Sequence, residues 1–168
     1  MTWSRWKIAG LLFIIGGALS VIGALLTATG SSAGGWATLI GGLLEGVGFI
    51  LFGLGFRRAR SRPWVPWLFV IAGVLILVIA LLALVGGSLG SATLVVQLLI
   101  AALILVASVL LLSARGIDRV LCIALIVLAA CLAINVFVGN IVLAVIIGLL
   151  YVLVGILLWG VRFGRRRP

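Results

Sequence analysis

Residues 37–62, ATLIGGLLEGVGFILFGLGFRRARSR, decide the fold. The stretch opens with an apolar run over 37–56, and about 20 such residues cross a bilayer core as an α-helix. It stops at Arg57, Arg58, Arg60 and Arg62, the basic flank expected on the cytoplasmic side of a span. The run does not alternate apolar and polar residues, so it is not a strand of a membrane barrel. One acid, Glu45, sits near its middle.

Five more runs of the same kind flank it. The first covers 8–29, followed by the turn GSSAGGW (30–36). Pro63 and Pro66 precede a third over 67–87, and Pro66 suits a first helical position, where a missing N–H costs nothing. The fourth and fifth are predicted over 93–112 and 119–138, and Gly139-Asn140 turns the chain tightly into a sixth over 141–161. Together they predict one all-α transmembrane domain over residues 1–168, folded as three helical hairpins. Composition agrees: 66% of residues are hydrophobic, 8% are charged and the mean hydropathy is +1.56. A soluble domain carries about 25% charge, and disorder requires low hydrophobicity. The apolar region of the first span, about 22 residues, exceeds the 7–15 of a cleaved signal, so it reads as a retained span.

Six spans put the start of the chain, the 57–66 and 113–118 loops and the end of the chain on one side. All 12 basic residues then fall on that side: Arg5, Lys7, Arg57, Arg58, Arg60, Arg62, Arg115, Arg119, Arg162, Arg165, Arg166 and Arg167. By the positive-inside rule both termini are cytoplasmic. Trp3, Trp6, Trp64, Trp67 and Trp159 mark the same boundary as an interfacial belt, and Trp36 marks the opposite one.

The hairpins read as copies of one unit. GGLLEGVGFILFGLGFR (41–57) aligns with GLLYVLVGILLWGVR (148–162), matching Gly41 to Gly148, Gly48 to Gly155 and Gly53 to Gly160. The fourth span keeps the length and the terminal arginine without the glycines. Glycine-rich second helices ending in arginine before a tryptophan (Gly41, Gly48, Gly53, Arg57, Arg58, then Trp64 and Trp67) resemble the HdeD-like family of small six-helix bacterial inner-membrane proteins. The resemblance covers nearly the whole chain. It implies an inner-membrane location and a part in acid-stress resistance, with no catalytic residues to carry over.

The acidic residues number two. Asp118, between Arg115 and Arg119, reads as loop electrostatics worth at most about 1 kcal/mol if exposed. Glu45 is placed where an ionised carboxylate costs at least about 2.5 kcal/mol. Helical spacing gives it one face with Gly41, Gly48, Phe52 and Gly55. In an antiparallel hairpin it lies level with Ser20, on a first-span face that also carries Gly16, Gly23 and Thr27. Gly16, Gly23, Gly41, Gly48, Gly55, Gly148 and Gly155 are expected to let helices approach closely. Ser20 and Tyr151, the single tyrosine, are the expected hydrogen-bond partners of the carboxyl. Two roles for Glu45 remain open. It is either a neutral carboxyl donating a hydrogen bond between helices, or a proton or cation site inside a cavity.

Other chemistry is excluded or weak. The chain has no histidine, and Cys122 and Cys131 fall on opposite faces of one helix, so neither a metal site nor a disulfide between them is expected. No phosphate-binding loop, nucleophile triad or paired carboxylates appear, and no cofactor is expected. Gln97, Asn135 and Asn140 fall near the outer face, where they would satisfy helix ends or meet water. The net charge of +10 and a pI near 11.9 do not indicate nucleic acid, because the arginines sit at membrane ends. There Arg57, Arg58, Arg60, Arg62, Arg165, Arg166 and Arg167 would contact anionic lipid headgroups, at roughly 1 kcal/mol each. The leading expectation is a non-enzymatic multi-pass inner-membrane protein of the HdeD-like kind, acting in envelope or acid stress. It would work alone, as a homo-oligomer or as a helical partner in a membrane complex. The alternative is a small proton-linked transporter or exporter using Glu45.

Overall fold

The computed structural model describes residues 5–56, 63–86, 92–112 and 119–160. Their regular elements are six α-helices: α1 (Arg5–Ala28), α2 (Ala33–Phe56), α3 (Val65–Leu84), α4 (Ala92–Leu112), α5 (Arg119–Val138) and α6 (Ile141–Gly160). Each is long and apolar enough to cross a membrane, as in a multi-pass membrane protein. Large apolar side chains cover the outside, Leu25, Val78, Val109, Ile123 and Ile156 among them. With lipid as solvent such exposure carries no penalty.

Each helix packs on its neighbours in chain order, and α6 returns to pack on α1, which closes a ring. Glycines fix the tightest seams. A Cβ on Gly41 would lie 2.9 Å from the Gly16 carbonyl, and one on Gly48 would lie 3.0 Å from the Phe13 ring. On the other side of α1, a Cβ on Gly148 would meet the Gly17 carbonyl at 2.9 Å, and one on Gly155 the Gly10 carbonyl at 2.5 Å. Two of the three glycine pairs matched between the second and sixth spans thus grip α1 from two sides, whereas Gly53 faces Pro66 and Val70 of α3 and Gly160 meets nothing within 4 Å. Gly23 is closed against Thr38 and Gly34, and Gly55 against the Trp6 indole. All seven glycines read as packing positions face helices of this same chain.

The structure corrects the first outer turn. GSSAGGW is not a loop to its end, because α2 already begins at Ala33. Gly30, at φ +76°, ends α1 with the paired bonds Ser31 N to Leu26 O (3.0 Å) and Gly30 N to Thr27 O (3.0 Å), a Schellman motif. Ser31 then accepts from Ala33 N at 3.3 Å and starts α2. Gly34 is helical because a Cβ there would strike Thr27, its backbone nitrogen at 2.5 Å; close approach, not a turn, demands this glycine. The shorter turn moves the α1–α2 register by one helical turn. Gly16 therefore lies opposite the Glu45 backbone and Ser20 opposite Gly41.

The remaining boundaries need smaller corrections. Helix α3 begins at Val65, so Pro66 is its second residue and not the first. Its missing N–H is still among the four that the first turn leaves unbonded. Gly139, at φ +55°, closes α5 by donating to Asn135 O at 2.9 Å. Asn140 Oδ1 accepts from Val142 N at 3.0 Å and caps α6.

Candidate functional site

The ring encloses a cavity of about 530 Å³ to which all six helices contribute. Its lining runs along α2 from Gly35 to Glu45, about 15 Å of helix rise. The walls are mostly aliphatic, with Ile76, Ile79 and Ala80 on α3, Ile100 on α4, and Leu132 and Val136 on α5. Thr27, Gly35, Thr38, Ala83 and Gln97 line its wide end and are exposed. This end lies near the Gly30 and Gly139 turns, away from Arg5, Lys7 and Arg119.

Glu45 and Tyr151 line the deep end, only 6% and 2% exposed. Glu45 reaches back across the shifted register, and the Ser20 hydroxyl donates to its Oε1 at 2.7 Å. Ser20 and Glu45 are thus bonded, although not level. Tyr151 arrives from α6 on the opposite side of α1 and shares the cavity with the carboxyl.

Beneath them an aromatic layer separates the cavity from the basic end. Phe13, Phe49, Phe52 and Phe69 are fully buried. Phe13 and Phe49 meet edge-on at 4.9 Å, and Phe52 and Phe69 likewise at 4.9 Å. Tyr151 stacks on Phe13 at 5.9 Å and presents its ring to Phe49 at 6.0 Å. Trp6 extends the layer through an edge contact with Phe52 at 5.6 Å. The sequence carried a signal for this layer that went unread: these phenylalanines all fall in the halves of α1, α2 and α3 nearer the basic ends.

The other polar positions divide. Gln97 and Asn135 line the cavity, and Asn140 only caps α6. Asn135 is half-buried, and its Oδ1 is buried with no hydrogen-bond partner. Thr27 and Thr38 spend their protons within their own helices, donating to Gly23 O at 2.8 Å and Gly34 O at 2.9 Å. Both hydroxyls lie in the α1–α2 seam, Thr27 against Gly34 and Thr38 against Gly23. Cys122 is buried and Cys131 partly so, and no disulfide joins them. No cluster of metal-ligating residues occurs among the described residues. Trp36, Trp64, Trp67 and Trp159 are exposed at helix ends, and the Lys7 ammonium lies 6.0 Å from the Trp159 ring. Arg57, Arg58, Arg60, Arg62, Arg165, Arg166 and Arg167, expected at anionic headgroups, lie outside the described residues, as does Asp118.

Comparison with protein families, curated proteins and solved structures finds no significant match to this chain.

Proposed function

We propose that the chain is a non-enzymatic inner-membrane protein of three helical hairpins, with both termini in the cytoplasm, that acts as a small proton-linked transporter or exporter. The HdeD-like resemblance supplies the setting, envelope and acid-stress physiology. One observation carries the molecular reading. The single carboxyl within the described spans stands at the deep end of a cavity walled by all six helices, with an aromatic layer closing the side beyond it. A purely structural carboxyl needs a partner and no cavity. Membrane carboxyls that face cavities mark ion and proton pathways. The glycine rows are used up inside the ring, so they offer no separate stripe for a partner protein to cover.

Glu45→Gln keeps a side chain able to bond Ser20 and removes titration. In liposomes with an imposed pH gradient, and with inorganic and organic cations supplied on the alkaline side, the wild-type chain is expected to dissipate the gradient. The Gln variant should do so at least tenfold more slowly, with its thermal midpoint unchanged. Equal rates for the two proteins across pH would remove the proton-linked role. Orientation is tested separately. A fluorescent reporter that folds only in the cytoplasm, fused after Pro168, is expected to be bright, and an export-dependent enzyme at the same point to be inactive. The opposite pattern overturns the assignment of sides.

A further inference from the structure

The lining of the cavity restricts what can occupy it. Glu45 is the one carboxyl in its lining, which holds no lysine, arginine or histidine. The described basic residues stand apart: Gly16 lies opposite Glu45, and Lys7 is nine positions back along α1, about 14 Å of rise. On α5, Arg119 is thirteen positions from Leu132, about 20 Å. An anion placed here would meet a carboxyl and no counter-charge.

The polar atoms lean the same way. The Glu45 carboxyl accepts from Ser20, and the buried Asn135 Oδ1 is an acceptor with no donor. Beyond the O–H of the neutral carboxyl, which leaves when the cation arrives, the donors are neutral: the Gln97 and Asn135 amide nitrogens and the Tyr151 hydroxyl. A hydrated inorganic cation fits poorly, since it needs several converging oxygens. Thr38 stands seven residues above Glu45 on α2, about 10 Å away along the helix. Between these polar ends the walls are aliphatic, and the volume falls in the range of small-molecule sites.

We infer that the occupant is an amphiphilic organic monocation, with its ammonium or other onium centre toward Glu45 and its apolar groups against the α3–α5 wall. This inference rests on the proton-linked reading of Glu45. The exchange balances without any other reactant. The neutral carboxyl releases its proton to water as the cation arrives, and the carboxylate so formed becomes the counter-ion. When the cation leaves, a proton returns. Site charge is the same in both states, and one carboxyl cannot hold both occupants. Glu45 is faced by Ser20 from α1 and Tyr151 from α6, and α3, α4 and α5 bring no ionisable group to the lining. The ratio is therefore one proton for one cation.

The test uses the purified full chain in detergent with tetraphenylphosphonium as probe, whose charge does not change with pH. Calorimetry in weakly buffered solution is expected to show saturable binding with one proton released per probe bound. Affinity should fall about tenfold for each unit by which the pH is lowered through the range in which the carboxyl is protonated. Glu45→Gln should lose at least tenfold in affinity and all proton release, and Glu45→Asp should retain the release. The neutral triphenylphosphine oxide should bind at least tenfold more weakly than the phosphonium. Equal binding of the neutral probe, or unchanged binding by Glu45→Gln, overturns the cation assignment. If the phosphonium fails to bind while Glu45 still governs proton flux in liposomes, the substrate class falls and the proton-linked reading stands. Binding that requires Glu45 but releases no proton overturns the exchange.

Discussion

Replacing Gly17 with valine is expected to lower the stability of the folded chain by about 3 kcal/mol, the upper end of what overpacking costs. A Cβ at this position would lie 2.5 Å from the Gly148 carbonyl, 2.8 Å from the Tyr151 Cβ and 3.0 Å from the Val152 nitrogen. Two of these atoms belong to the backbone of α6, so no rotamer change relieves the clash; α1 and α6 must separate. That separation is costly because helix association in lipid depends on van der Waals contact at close range, without a hydrophobic drive. It also moves Tyr151 away from the cavity. Two further variants calibrate the result. Gly48→Ala meets the edge of the Phe13 ring at 3.0 Å, a side chain that can yield, and should cost about 1 kcal/mol. Gly35→Ala is helical and exposed, with nothing within 4 Å of its Cβ, and should gain roughly 0.5–1 kcal/mol of helix preference. Unfolding titrations in mixed detergent should give the order Gly17→Val, Gly48→Ala, Gly35→Ala from least to most stable. A Gly17→Val midpoint equal to wild type would contradict the α1–α6 seam.

The fate of individual residues shows which properties of this chain are local. The six helices were legible because an apolar run and its flanks are properties of one segment, and predicted and observed ends differ by at most four residues. The pairing of Ser20 with Glu45 was within reach because both lie on consecutive helices joined by a short turn. Its register was off by one helical turn because Gly34 and Gly35 look like turn residues in sequence. They are helical, and Gly34 is there to admit Thr27. The cavity itself was not legible. Gln97, Asn135 and Tyr151 reach it from α4, α5 and α6, and what brings them together is ring closure between α6 and α1. Sequence spacing within any one helix carries no record of that closure. Asn135 illustrates the limit. Near a helix end it reads as a residue meeting water, yet its side-chain oxygen is buried and unpartnered.

Phe49→Ala is the second change expected to have a large effect, and it separates the layer from the carboxyl. Phe49 lies one helical turn from Glu45 toward the basic end and is fully buried. Its ring contacts Phe13 at 4.9 Å, Tyr151 at 6.0 Å and Phe69 at 6.2 Å, so it touches α1, α3 and α6 at once. Truncation should cost of order 3 kcal/mol, because a void beside rigid helices collapses only in part. The void also adjoins the deep end of the cavity, where it joins the space above the layer to the space below. In liposomes the variant should therefore leak protons at several times the wild-type rate. The leak should persist in the Phe49→Ala/Glu45→Gln double variant, since it no longer passes through the carboxyl. Phe49→Leu, which restores most of the volume, should bring the rate back near wild type while recovering only part of the stability. That divergence matters, because general loosening of the bundle would make leak and stability change together across the three proteins. Tight liposomes from a folded Phe49→Ala chain, with wild-type pH dependence, would mean that the layer packs the ring without sealing it. The aromatic layer would then lose its place in the transport cycle, whatever Glu45 binds.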